Sequence, residues 1–256
     1  MKTLFAFTKK EFFEVRRTGK LLIIMLLFLI FGIMNPATAK IMPVIMDMLA
    51  ESMTESGVVI KDIEVNAMTS WAQFFKNIST ILIIFILLFS DVFTKEYKTG
   101  TLQLVLTKGL ARHKVVIAKT LSILSFWTIG YIFSFSVTYG YNEYFWDNSI
   151  MNNLFSSVVL WWLFGVCVIS LIIFFSSFLQ NNIAVLLSTG GVIILMYLLN
   201  VISKLKPYIP VKLININPLL ASTEEIDAYT KAIIVTIIFS IVCIASSIPI
   251  LNKRQF

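Results

Sequence analysis

In 256 residues, the groups capable of directed chemistry collect in one polar stretch, 91–119, DVFTKEYKTGTLQLVLTKGLARHKVVIAK. It carries Lys95, Lys98, Lys108, Arg112, Lys114 and Lys119, the acids Asp91 and Glu96, and His113, the chain's single histidine. Between Arg112 and Lys114, His113 reads as a solvated loop residue. No reaction site follows from these residues. The serines of 77–90, 120–142, 148–203 and 232–252 have no Asp or His within those stretches to activate them. Nowhere does a glycine-rich loop lead into Lys followed by Ser or Thr, so the chain offers no ATP site of its own. Cys167 and Cys243 lie inside apolar runs and read as small buried hydrophobes, with neither a disulfide framework nor a metal site implied. The expectation is a chain that is not an enzyme and holds no catalytic residue, metal or cofactor.

What remains for 91–119 is recognition. Gly100, after Lys98-Thr99, is placed to end a long helix, and Thr101 to start a short one. Leu102, Val105 and Leu106 then share a face, and the element is predicted to end at Lys108-Gly109. A short surface helix, apolar on one side and flanked by charge, suits insertion into a groove on a partner. An ordinary cytosolic loop with an interfacial helix fits the same residues.

The elements that position this stretch follow from composition. With 58% hydrophobic residues, 14% charged and 22 Phe, and a mean hydropathy of +0.87, the chain reads as an all-α polytopic membrane protein. The net charge of +7 then serves orientation rather than nucleic-acid binding. Six apolar runs, 21–42, 72–93, 115–139, 154–179, 183–203 and 232–251, approach or exceed the ~20 residues a helix needs to cross the bilayer. The first contains Asn35-Pro36 and is expected to continue through a kink there. Ahead of it, 1–20 reads as an amphipathic interfacial helix with Leu4, Phe5, Thr8, Phe12 and Val15 in one sector and Lys2, Lys9 and Arg16 along its border. With no small-residue cleavage site after the first run, a cleaved signal peptide is not expected.

If both termini are cytosolic, the inner side carries Lys2, Lys9, Lys10, Arg16, Arg17, Lys20, the cations of 91–119, Lys253 and Arg254. The outer side has half as many. Three outer lysines, Lys204, Lys206 and Lys212, stand close together without an explanation from charge. Of the outer segments, 47–70 reads as an acidic linker with some helix, and 142–153 as a short turn around Tyr144, Phe145 and Trp146. The 204–231 segment mixes Pro207, Pro210 and Pro218 with apolar residues and reads as re-entrant or interfacial. Ser222 and Glu225 form a capping-box pattern that predicts an early start for the last helix. Gly190-Gly191 is expected to permit close helix approach. Within 77–90, 120–142, 148–203 and 232–252 there is no ionisable Asp, Glu, Lys, Arg or His, which argues against a proton-coupled carrier.

Taken together, Glu96, Gly100-Thr101, the apolar 102–106 segment, Lys108, Arg112 and Lys119 resemble the loop between the second and third spans of type-2 ABC exporter permeases, bacterial relatives of the ABCG fold. The resemblance extends over the whole chain through its length, six spans, amphipathic first helix and irregular segment before the last span. It departs at Lys108-Gly109, where many members have a basic residue followed by Pro. The resemblance implies a single transmembrane domain, 1–256, in a bacterial plasma membrane, with both termini cytosolic. It implies a coupling helix in 91–119 that docks on a separate ABC ATPase subunit, which would bind ATP and Mg, through Glu96, Gly100, Thr101, Leu102, Val105, Leu106 and Arg112. The turn 180–182 would be a smaller contact. A second permease copy or a paralogue would complete the membrane part, and alternating access would open a path lined by the second and fifth spans, with Gln73, Phe74, Ser79, Ser188, Thr189, Tyr197 and Asn200 as candidates. A charge-free, Phe-rich path favours an amphipathic or lipophilic cargo such as a membrane-active peptide, toxin or bacteriocin. An ATP-independent channel or carrier, or a structural membrane-anchor subunit, are the alternatives.

Overall fold

The computed structural model describes residues 2–54, 66–107 and 109–253. Among them there are helices and no strand. The order is α1 (Lys2–Arg17), α2 (Lys20–Thr54), α3 (Ala67–Phe89), α4 (Thr94–Thr99), α5 (Thr101–Thr107), α6 (Arg112–Phe145), α7 (Leu154–Phe178), α8 (Asn182–Asn200), α9 (Asn217–Leu220) and α10 (Thr230–Lys253). Six helical spans are long and apolar enough to cross a membrane, as expected. The chain divides into two compact units. One comprises Met1–Ile23, Leu82–Ile129 and Asn153–Phe256, the other Ile24–Ile81 and Gly130–Asn152.

In the second unit, the two prolines of α2 leave it a continuous helix. The reason is visible at Pro36, which has no N–H to give the carbonyl of Gly32 one turn back. The Thr138 hydroxyl donates to that carbonyl at 3.0 Å instead. Thr138 also accepts from Asn35 Nδ2 at 3.1 Å, and Asn35 Oδ1 accepts from Asn77 Nδ2 at 2.8 Å. An apolar core makes such a chain necessary, because a freed carbonyl or an amide without a partner costs several kcal/mol in hydrocarbon, on the order of 2–7. Around Trp71, the rings of Phe74, Phe75, Phe135 and Tyr139 lie 5.4–6.5 Å away. The Trp71 indole N–H donates to Asn148 Oδ1 at 3.0 Å. The aromatic turn expected at 142–153 is shorter than its residues implied, because α6 continues to Phe145 and carries Tyr144 and Phe145 as helical residues. Phe145 stacks on Tyr141 and meets the rings of Tyr144 and Trp146 edge-on at the end of the helix.

The first unit is built around α7, which packs against α8 and α10. Its buried face includes Val158, Phe164, Val168, Ile169 and Ile172. On α10 the buried stripe is Ala232, Thr236, Ser240, Cys243, Ser247 and Leu251. Small residues permit close packing where lipid removes the hydrophobic driving force between helices. Thr236, Ser240 and Ser247 turn their hydroxyls back onto the carbonyls four residues earlier, which hides their polarity within the helix. The closest approach is at Gly165, where a Cβ would lie 2.3 Å from the Trp127 ring. Within the chain, no helix closes on Gly190 or Gly191, where a Cβ would meet nothing within 4 Å.

Residues 204–229 form a run of short helical turns, Lys206–Tyr208, Pro210–Ile214, α9 and Ile226–Tyr229, packed on α7 and α10. Val211, Leu213, Ile216 and Leu219 are buried there. One of the three unexplained lysines is accounted for. Lys212 is buried and donates to the Ala228 carbonyl at 2.7 Å, with Glu224 3.8 Å away. Its charge is therefore internal, not an orientation signal. The capping box does not form. Ser222 has φ 55, outside the extended geometry of an N-cap, and the turn begins at Ile226 with no side-chain cap from Glu225. The linker expected over 47–70 is helical to Thr54, and its 55–65 portion lies outside the described residues.

Candidate functional site

Within the first unit, the α4–α5 connection is an angled tip at the end of a long helix. After α3 the chain turns over Ser90–Phe93 and resumes as α4. Gly100, at φ 66, closes α4 by donating its N–H to the Tyr97 carbonyl at 3.4 Å. A residue with a Cβ is strained in that left-handed conformation, so the glycine fixes where the chain changes direction. Thr101 then opens α5, its hydroxyl 2.9 Å from that of Thr99. Both helix limits placed from sequence at Gly100-Thr101 hold, whereas Lys108, half of the expected end, lies outside the described residues.

Leu102 is fully buried and Val105 and Leu106 are half-buried, whereas Leu104 is 62% exposed, with Thr101, Gln103 and Thr107 exposed beside it. Along the face that Leu102, Val105 and Leu106 share, Leu102 is the side chain that enters the core. A groove beside it is lined by Thr3, Ala6, Phe7, Val105, Gly109 and Leu110.

Glu96 is also internal. It is 4% exposed, and its Oε1 accepts from Lys10 at 2.8 Å and lies 3.1 Å from Lys119. Lys119, 2% exposed, also reaches Glu11 Oε2 at 3.0 Å. Lys10 reaches Glu11 at 2.9 Å and Glu14 at 2.8 Å, and Lys95 reaches Glu14 at 2.9 Å. Lys20, at the start of α2, pairs with Asp91 at 2.6 Å and donates to the Leu88 carbonyl at 2.6 Å. The carboxylates of Glu11, Glu14 and Glu96 come within 4.8 Å of one another. The ammoniums of Lys10, Lys95 and Lys119 balance them, so the cluster is neutral without a cation. Burial works to lower the Lys10 ammonium, but Glu11, Glu96 and the hydrogen bonds to Glu14 and Glu96 outweigh it and hold it above the usual lysine range. Burial also works to raise Glu14, but hydrogen bonds and charge from Lys10 and Lys95 bring it down to about 2.

This cluster fastens α1 to α4 and to the first turns of α6. It also changes the reading of α1, whose buried face centres on Phe7 and Glu11 while Phe5 is 74% exposed. Phe12 packs on Phe126 at 4.7 Å. The signal for the pairing was present in Lys119, a cation inside the apolar run 115–139, and in Glu11 and Glu14, the only acids of a basic helix. Remaining bonds anchor the tip elsewhere. The Thr94 hydroxyl bonds to Asn182 Oδ1, the Tyr97 hydroxyl donates to the Ser177 carbonyl at 2.9 Å, and Asn181 caps α8. The 180–182 turn thus supports α4 from within the chain. Arg112 donates to the carbonyls of Leu251 and Asn252 at 2.6 and 2.5 Å, stabilising the C-terminal end of α10.

The residues expected along a path fall in both units. Gln73, Phe74 and Ser79 belong to the second unit, and Ser188, Thr189, Tyr197 and Asn200 to the first. Phe74, 1% exposed within the Trp71 cluster, and Thr189, 0% exposed, are buried in their own units. Gln73, Ser79, Ser188 and Asn200 are half-buried, and Tyr197 is half-exposed.

No curated protein matches the chain. The family described as ABC-2 family transporter protein matches residues 5–245, nearly the full length. The chain therefore belongs to the ABC-2 transporter family, as a multi-pass membrane permease subunit.

Proposed function

We propose that the chain is the permease of an ATP-driven exporter, with both termini in a bacterial cytosol, and that α5 is the coupling helix by which an ABC ATPase subunit drives it. The observation that carries this reading is the exposed α5 tip, with Leu104 outward and α4 behind it held by Gly100 and the buried ion cluster. A short helix so mounted transmits force instead of absorbing it. Docking rests on Thr101, Gln103, Leu104 and Thr107, while Leu102, Glu96 and Arg112 act by positioning. ATP and Mg are bound by the ATPase. Its two states hold α5 differently, and that difference in binding free energy shifts the permease between inward and outward openings. A second copy or a paralogue completes the path, and Gln73, Ser79, Ser188, Tyr197 and Asn200 remain its candidates. The cargo is an amphipathic peptide, a class favoured by the stretches 77–90, 120–142, 148–203 and 232–252, which hold no ionisable group of Asp, Glu, Lys, Arg or His.

Leu104→Asp separates this reading from a channel or an anchor. The protein is purified in mild detergent with its ATPase. The substitution is expected to remove the ATPase while leaving the thermal midpoint of the permease unchanged, because Leu104 makes no core contact to lose. Retention of the ATPase in equal amount, with unchanged transport, removes α5 from the docking surface. Vesicles loaded with ATP that move sodium but no peptide would remove the cargo assignment.

A further inference from the structure

The outward face of α1 is unlike its inward face. On a helical wheel, Phe5, Lys9, Phe13 and Arg16 fall within an arc of about 80°, and Arg17 follows beside it. All five are exposed, Phe5 by 74% and Phe13 by 55%. The two acids of the helix, Glu11 and Glu14, point away from this arc into the ion cluster. Lys9 Nζ stands 5.9 Å over the Phe13 ring. Charge and aromatic surface are therefore sorted, with cations and Phe outward and carboxylates consumed inward.

The place of the helix limits what can cover that face. With Lys9, Lys10, Glu11, Glu14, Arg16 and Arg17 in 16 residues, α1 is too charged to cross a bilayer. Only Thr18 and Gly19 separate its end from Lys20, the first residue of a span. The C-terminal end of α1 is thus held at the level of the headgroups. A ridge of cations alternating with Phe at that depth matches a layer of phosphates over acyl chains, into which the rings insert.

We propose that the Phe5–Lys9–Phe13–Arg16–Arg17 face is a binding surface for anionic phospholipid of the adjoining leaflet. The surface requires no ATP coupling. Its charge complements phosphate, and the salt bridges of Glu11 and Glu14 keep the opposite face of the helix from competing for the same cations.

The test is hydrogen exchange over residues 2–17 in the full chain, in discs of phosphatidylcholine alone and of phosphatidylcholine mixed equally with phosphatidylglycerol. The expected result is exchange slower by about tenfold in the mixed discs, reversed by high salt. Lys9→Gln/Arg16→Gln/Arg17→Gln should abolish the difference. Phe5→Ser/Phe13→Ser should reduce it and serves as the second variant should the first fail to fold. Equal exchange in the two discs overturns the proposal, as does a triple variant that responds like the native chain. Slowing that appears only when the ATPase is added, whatever the lipid, makes the face a protein dock and overturns it too. Lipid-dependent slowing in a chain that binds no ATPase supports this surface and removes the exporter reading, so the two fail separately.

Discussion

Lys119 Nζ lies 3.0 Å from Glu11 Oε2, joining the start of the third span to the helix that precedes the first, and both side chains are buried. Removing Lys119 leaves Lys10 as the one ammonium between the buried carboxylates of Glu11 and Glu96, at a cost of up to about 3–5 kcal/mol. Lys119→Met is expected to lower the thermal midpoint in detergent by several degrees, because Glu11 and Glu96 then share a single ammonium. Adding Glu11→Leu should recover part of the loss, since desolvation of a carboxylate is then no longer required. Additive losses in the double variant would show that the two residues do not act as a pair.

The same cluster sets a pH window. Glu14, lowered from 4.5 to about 2, contributes stability that is present above pH 4.5 and is lost as pH falls toward 2. Lys10 is raised above 10.5, so its contribution is complete below pH 10.5 and is lost only as pH climbs beyond that. Attachment of α1 should therefore be constant from pH 4.5 to 10.5. A fluorophore on Lys9→Cys reads this selectively, because Cys167 and Cys243 are buried. Release of α1 near neutral pH contradicts the assignment.

The spans were legible because each is a long, predominantly apolar run, and the break at Gly100 because glycine is the residue least strained in the left-handed conformation found there. The side that α5 turns outward was not. A helical wheel gives the phase of an apolar stripe, not whether its partner is another subunit or the chain itself, and Leu102 packs within its own chain. The ion pairs were hidden for another reason: Lys119 and Glu11 are 108 residues apart, and no local pattern joins them. Ser222 and Glu225 show the converse failure, a correct local pattern overruled by a left-handed backbone within the packed 204–229 run.

Thr138 occupies a position where chemistry outweighs size. Its hydroxyl serves both the Gly32 carbonyl freed by Pro36 and the Asn35 amide. Thr138→Val keeps the shape and removes both bonds, with an expected loss of about 1–3 kcal/mol. Thr138→Ser retains the hydroxyl and should lose less. Equal thermal midpoints for the Val and Ser variants would mean that the carbonyl finds another donor.

Gly165 and Trp127 offer a test of packing alone. The Trp127 ring is buried, lies 5.4 Å from Phe85 and donates its N–H to the Trp162 carbonyl at 3.3 Å, so it has little room to retreat. Gly165→Ala places a methyl group 2.3 Å from that ring and is expected to cost about 1–3 kcal/mol through overpacking. Trp127→Leu alone opens a cavity and is also destabilising. Combined, the methyl group fills part of the space the indole vacates, so the double variant should be more stable than the sum of the single losses predicts. Thermal midpoints of the four proteins measure that coupling. Strict additivity would place the contact outside the packing that joins α6 to α7, and a midpoint for Gly165→Ala equal to that of the native chain would show that the indole moves aside at no cost.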